Sequence, residues 1–220
     1  MIGFSFKNIV LQIIQGGIIL ITALYFVFGL EVYNIKFITE ENSSIIYALF
    51  LCVSYVLGVL IDFLSDIVET AAIKWHWIHP PSYHLLKKGS AYGIRLAHYN
   101  KIKSDLETLA KKFQPKKLND VNYCNLIFQT AKNKALRECS EYQKDHLESF
   151  FTLYVFCRNI SLCLFVVLVA LVVKCNSELC IWIIPTVILV ILFVLASYRY
   201  FSYYSRMILG ATFTKKSAKQ

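Results

Sequence analysis

Four long apolar blocks alternate with polar segments of very unequal length along the chain. The first runs from about Ile9 to Leu30 and is interrupted only by Gln12, Gln15 and the pair Gly16-Gly17. The second covers about Ile45 to Leu64, with helical character persisting through Asp66, Val68 and Ala72. The third spans about Phe150 to Val173 and the fourth about Ile181 to Ala196. Each block is near the ~20 residues that a helix needs to cross ~30 Å of hydrocarbon. The pattern predicts an all-α integral membrane protein: two transmembrane hairpins with a helical cytoplasmic insert between them. The first hairpin is placed at 1–68 (spans about 9–30 and 45–66) and the basic insert at 69–149. The second hairpin follows at 150–197 (spans about 150–173 and 181–197), then an aromatic and basic cytoplasmic tail at 198–220.

Within the insert, Pro80-Pro81 should stop the extension of the second helix, because proline lacks a donor and restrains its neighbour. A loop with Gly89 and Gly93 follows. Ser104-Asp105-Leu106-Glu107 has capping-box spacing and predicts a helix with Leu106, Leu109, Ala110 and Phe113 on its apolar side. Beyond Asn119-Asp120, apolar or small residues recur at Val121, Cys124, Phe128, Ala131, Ala135, Cys139 and Tyr142, a stripe suited to helix packing. No breaker separates Tyr142 from Phe150, so one long helix is expected to rise from the insert into the third span. The two inner spans would then be stiff extensions of the insert.

Composition and charge orient this frame. The chain of 220 residues is 57% hydrophobic and only 17% charged, against about a quarter charged in an ordinary soluble domain. The net charge of +9 is concentrated: residues 69–148 hold 14 Lys/Arg against 8 Asp/Glu. The loop 31–44 is net acidic and the loop 174–180 neutral. Basic segments face the cytoplasm, so both outer loops lie outside. The protein is expected to be multi-pass in the cell inner (plasma) membrane with N and C termini cytoplasmic. Trp75, Trp77, Tyr83 and Trp182 suit the membrane interfaces. Tyr198, Tyr200, Phe201, Tyr203 and Tyr204, with Arg199 and Arg206, read as an interfacial belt or as a docking helix. Of the seven cysteines, only Cys175 and Cys180 lie in an outward loop, as a bridge or as two unpaired thiols. The first block is too long for a secretory signal and lacks a cleavage site.

Polar residues inside the blocks are few and gather toward one leaflet: Gln12 and Gln15 in the first span, Asp62 and Asp66 in the second, Arg158 and Asn159 in the third. Charges in hydrocarbon cost several kcal/mol unless paired or wetted. An Asp62–Arg158 pair is the simplest solution, as a packing clasp or as the lining of a water-filled vestibule; Arg158 reaching the headgroups is a third reading. His76, His79 and His84 lack helical spacing and acidic neighbours, so no metal site is expected. There is no phosphate loop, H-E-x-x-H or nucleophile elbow in the sequence, and Arg95-x-x-His98 alone makes no catalytic site. Neither enzymatic activity nor a cofactor is therefore expected. Lys87, Lys88, Arg95, Lys101, Lys103, Lys111, Lys112, Lys116 and Lys117 crowd into 31 residues as a basic docking surface. Beside a membrane its default partner is anionic headgroups. An acidic protein, a nucleotide or nucleic acid shares the charge logic, but aromatic residues for base stacking are thin (Tyr92, Tyr99).

The stretch Ser54-Tyr55-Val56-Leu57-Gly58-Val59-Leu60-Ile61-Asp62 resembles a pattern in small prokaryotic membrane proteins with two hairpins around a cytoplasmic insert. Some of these are membrane components of anti-phage defence systems, of the Kiwa type or accessory to CRISPR. The local match covers these nine residues, and the hairpin–insert–hairpin layout covers the chain. It implies a homo-oligomer in the inner membrane, acting as sensor or effector and docking a soluble cytoplasmic protein partner. Two other readings stay open: an ion channel or transporter subunit with Asp62, Asp66 and Arg158 in the path, and a non-conducting scaffold.

Overall fold

The computed structural model describes residues 6–28, 43–75, 79–91, 94–95, 99–100, 121–174 and 179–214. It is built from α1 (Phe6–Phe28), α2 (Ser43–Lys74), α3 (Pro81–Lys88), β1 (Ser90–Ala91), β2 (Ile94–Arg95), α4 (Val121–Glu138), α5 (Glu141–Val173) and α6 (Ile183–Thr214). Among the described residues four stretches are long and apolar enough to cross a membrane: Asn8–Phe26, Ser44–Lys74, Glu141–Val173 and Cys180–Ala211. The protein is helical and multi-pass. Among the described residues the one sheet is the two-residue antiparallel ladder of β1 and β2, with Ser90 opposite Arg95 and Ala91 opposite Ile94. The predicted helix opening at Ser104 lies outside the described residues.

The chain divides into two compact units, Met1–Ala71 with Val155–Leu195, and Ala72–Tyr154 with Ala196–Gln220. α2, α5 and α6 each contribute residues to both. At ~1.5 Å per residue, these helices of 32, 33 and 32 residues exceed the hydrocarbon thickness by roughly half.

In the first unit α1 and α2 cross closely. A Cβ added to Gly16 would meet the Ser54 carbonyl oxygen at 1.7 Å, and one added to Gly58 would meet the Gln12 carbonyl oxygen at 2.0 Å. Ser54 and Gly58 stand four apart on α2 and are followed on the buried stripe by Ile61 and Ser65. This small-residue spacing lets two backbones approach, the commonest way membrane helices gain packing energy. The opposite faces stay open: Ile45, Leu49, Val56, Leu60, Phe63 and Ile67 of α2 are exposed, as are Ile184, Ile188, Ile191 and Leu195 of α6.

The second unit has an ordinary buried core. Leu85 and Leu86 of α3, Ala91 of β1, Cys124, Phe128, Ala131 and Ala135 of α4, Leu147 of α5, and Tyr204, Ile208 and Leu209 of α6 form one cluster. Aromatic rings tie the helices together: Tyr203 stacks on Phe150 at 5.5 Å and Phe201 on Tyr154 at 4.8 Å. Phe128 meets Phe201 and Tyr204 edge-on.

Four expectations change here. First, Pro80-Pro81 does not lead into a loop: Pro80 caps α3 and Pro81 occupies its first turn, where a missing N–H costs nothing. Second, the long helix expected beyond Asn119 is two helices. Ser140 N–H donates to Gln143 Oε1 and Gln143 N–H to Ser140 Oγ, a reciprocal cap that opens α5 anew. The stripe therefore holds from Cys124 to Cys139 and fails at Tyr142, which is 73% exposed. Third, the segment beyond 198 is no separate tail, because α6 continues to Thr214 and turns Tyr204, Ile208 and Leu209 into the second core. Fourth, Tyr83 is a core residue rather than an interfacial one, whereas Trp75 and Trp182 are exposed. Trp77 lies outside the described residues.

Candidate functional site

The centre of the first unit is a polar cluster built on one guanidinium. Asp62, Asp66 and Glu69 follow one another on α2 at steps of four and three, which places them along one edge of the helix. Arg158 of α5 meets all three. Its Nη2 donates to Asp62 Oδ1 at 2.9 Å, its Nη1 donates to Glu69 Oε2 at 3.1 Å, and Nη1 also donates to Asp66 Oδ1. The Nε–H is turned to Asn159 Oδ1 at 3.2 Å. The Arg158 side chain is 13% exposed, against 18% for Glu69, 37% for Asp62 and 67% for Asp66. The inner partners are thus Asp62 and Glu69, and Asp66 closes the outer side.

Asn159, 1% exposed, extends the cluster to α1. Its Nδ2 donates to Asp62 Oδ1 at 2.9 Å and to Gln15 Oε1 at 3.2 Å. One turn further, Cys163 Sγ–H points to the Gln15 carbonyl at 3.6 Å. The adjacent pair Arg158-Asn159 therefore joins α1 and α2 through charged and neutral bonds at one level. Lys174 lies over the Phe26 ring at 5.9 Å, which joins the far ends of α5 and α1.

Of the sequence-stated cluster, Gln15, Asp62, Asp66, Arg158 and Asn159 come together, and Gln12 does not join their bonds. Gln12 Oε1 is buried without a donor, as are the hydroxyls of Ser54 and Ser65. Glu69 falls at the first position of the basic segment 69–149, where charge alone does not mark it, and its spacing from Asp62 and Asp66 is the sequence signal that joins it to them. The Gly16–Ser54–Gly58 crossing has its sequence signal in the Ser54-x-x-x-Gly58 spacing. In this cluster three carboxylates face one guanidinium. It can fix helix register or attract a cation; it holds no nucleophile–base pair. Among the described residues no group of His, Cys, Asp and Glu is placed to hold a metal ion.

The basic surface is described in part. Lys87 and Lys88 are exposed on the last turn of α3, and Arg95 is exposed on β2. Lys101, Lys103, Lys111, Lys112, Lys116 and Lys117 lie outside the described residues. Lys87 Nζ donates to Tyr83 Oη at 2.9 Å, and that bond raises its pKa. The end of α3 is fixed by Gly89 at φ 72 and by Tyr99, whose hydroxyl donates to the Lys87 carbonyl at 2.6 Å. Behind the lysines, the rings of His79, Tyr83 and His84 lie within 6.0 Å of one another. The His84 pKa is lowered by burial first, then by His79, Lys88 and Lys87.

Cys180 is disulfide-bonded, while Cys52, Cys124, Cys139, Cys157 and Cys163 are free. Cys175 lies outside the described residues. Comparison with family models, curated proteins and solved structures finds no match to this chain.

Proposed function

We propose that this protein is an oligomeric inner-membrane component that senses or executes a membrane response and works with a soluble cytoplasmic partner. By the resemblance of Ser54–Asp62, anti-phage defence is the setting. The observation that carries the reading is the ladder of three carboxylates under one guanidinium. Asp62, Asp66 and Glu69 are ~6 and ~4.5 Å apart along α2 at the usual rise. Arg158 can exchange one of them for the next while keeping a charged partner. Such a ladder permits α5 to slide along α2 by about a turn, the kind of discrete shift on which membrane switches are built. Charges that are paired in each position avoid the cost of a bare ion in hydrocarbon.

The basic residues of 69–149 favour a cytoplasmic place for that segment, and the bonded Cys180 favours an oxidising side for the 174–180 loop. Residues 85–117 and 119–148 are the stretches offered to a soluble partner.

The test is expression in a prokaryotic host challenged with phage, with membrane potential followed during infection. The proposal expects growth arrest or depolarisation only after infection, lost in Arg158→Gln. Mild-detergent purification should give a defined oligomer with a stoichiometric partner. A monomer with no infection-dependent effect overturns the reading. A second reading, a cation-conducting subunit, is favoured by the three carboxylates that line one edge of α2. It expects constitutive flux that Asp62→Ala abolishes.

A further inference from the structure

Residues 70–104 contain six Lys or Arg and no Asp or Glu. The described part of that segment is a small folded knuckle. Leu85, Leu86, Ala91 and Ile94 are buried beneath it, Gly89 turns the chain, and the β1–β2 ladder brings Arg95 back opposite Ser90. A Cβ on Gly89 would meet the Tyr99 ring at 2.7 Å, so ring and turn are fitted to each other. Lys87 and Lys88 at the end of α3 and Arg95 on β2 are all exposed, and no salt bridge among the described residues involves them.

Two observations say what kind of surface this knuckle meets. Between 79 and 100, no large apolar side chain is exposed among the described residues. A protein-binding face normally has an apolar or aromatic centre within a polar rim, and the described residues of this stretch expose charge instead. In addition, the candidate span Ser44–Lys74 ends seven residues before Pro81, and Trp75 just beyond it is 60% exposed. At ~3.6 Å per residue, α3 therefore starts within ~25 Å of the end of a candidate span. Among the described residues this surface carries only positive charge and exposes no large apolar side chain, and tethered near a candidate span it is matched to phosphate groups held in a plane.

We infer that Lys87, Lys88 and Arg95 form a site for anionic phospholipid headgroups. Its ligand is the phosphodiester of a lipid such as phosphatidylglycerol, held by charge and by the fork of Arg95. Lys87 is oriented by its bond to Tyr83, and Ser90 adds a hydroxyl beside Arg95. The inference deepens the proposed function by giving Lys87, Lys88 and Arg95 of the 85–117 stretch to lipid rather than to the soluble partner, and it rests on that reading only for the side of the membrane involved.

The test uses the full chain in a mild neutral detergent, stripped of native lipid and titrated with phosphatidylglycerol or phosphatidylcholine. Bound lipid is counted by native mass spectrometry. Wild type should retain phosphatidylglycerol preferentially, and each cation removed should weaken retention roughly five-fold, an effect that shrinks with salt. Lys88→Ala and Arg95→Ala are read singly and together with Lys87→Ala. Lys134→Ala with Arg137→Ala, exposed cations on α4, serves as the control and should leave lipid retention as in wild type. Equal retention of both lipids, or unchanged phosphatidylglycerol retention in the triple variant, overturns the site. Full competition by millimolar inorganic phosphate makes it a site for free phosphate instead and also overturns the lipid assignment. Loss of a co-purifying acidic protein in the triple variant without any lipid selectivity turns the patch into a protein interface. The assay needs neither phage nor partner, so its failure leaves the proposed function standing, and failure of the infection test leaves the lipid site standing.

Discussion

Arg158 carries more of the first unit than any other side chain, because three acidic groups and Asn159 converge on its donors. Removing one partner of a fully buried ion pair costs about 3–5 kcal/mol, an upper bound here because Asp62 and Asp66 are 37% and 67% exposed and Asp62 also accepts from Asn159. Arg158→Ala should therefore unfold the first unit or lower its thermal midpoint sharply. Asp66→Asn, on a carboxylate 67% exposed, should cost under ~1 kcal/mol. Asp62→Asn should fall between, since Asp62 also accepts from Asn159. Thermal unfolding of the three variants in detergent checks the order, and equal effects would remove Arg158 from the centre of the account. The glycines give a sharper contrast. Gly58→Ala must push α1 from α2, costing on the order of 1–3 kcal/mol or more, because the obstacle is the Gln12 backbone. Gly210→Ala meets nothing within 4 Å and should be neutral or slightly stabilising.

Among the elements, the boundary between α4 and α5 rests on a short local signal. Ser140 and Gln143 cap each other's backbone, so Ser140→Ala should lose about 1 kcal/mol. Amide exchange should rise in the first turn of α5 and leave the rest of it protected. Uniform protection across 138–144 would mean that a continuous helix replaces the break. The Ser140-x-x-Gln143 spacing was as readable as any cap in the chain; it was overlooked because the apolar stripe continues through Cys139 at helical steps. At α3 the sequence misled for another reason. Proline pairs usually end helices, but at the first helical position proline is favourable, and which role it takes depends on the apolar residues that follow. Tyr83, Leu85 and Leu86 gave α3 a buried face.

For the molecule as a whole, acidity offers a test through His84. Its folded pKa lies below the ordinary histidine value, so the unfolded chain binds more protons as pH falls below ~6.5. Stability is thus complete above that pH and declines as pH drops toward the lowered value. The thermal midpoint should fall between about pH 7.5 and 5.5, and His84→Gln should flatten the slope. Bound anionic lipid should flatten it as well, because negative headgroups near Lys87 and Lys88 offset the charges that disfavour the imidazolium. A midpoint independent of pH in wild type would show that His84 is not held neutral.

The sequence by itself determined that the chain is helical and crosses a membrane. Apolar length is a local property, summed residue by residue over four blocks, and no tertiary contact can cancel it. It also determined that Asp62 and Arg158 must find partners, since a charge within an apolar block has few alternatives. The α4 stripe was legible because a 3.6-residue period marks a face directly. What covers each face was decided only in three dimensions. The aromatic run after Tyr198 has the composition of an interfacial belt, yet Tyr204 is 5% exposed because α6 runs on into a core with Phe128 and Leu147. Glu69 belongs to the clasp and not to the insert because α2 continues unbroken to Lys74, keeping it on the edge that meets Arg158. Periodicity tells which side of a helix is buried; only packing tells against what, because the same apolar side chain satisfies lipid, aromatic ring and neighbouring helix equally well.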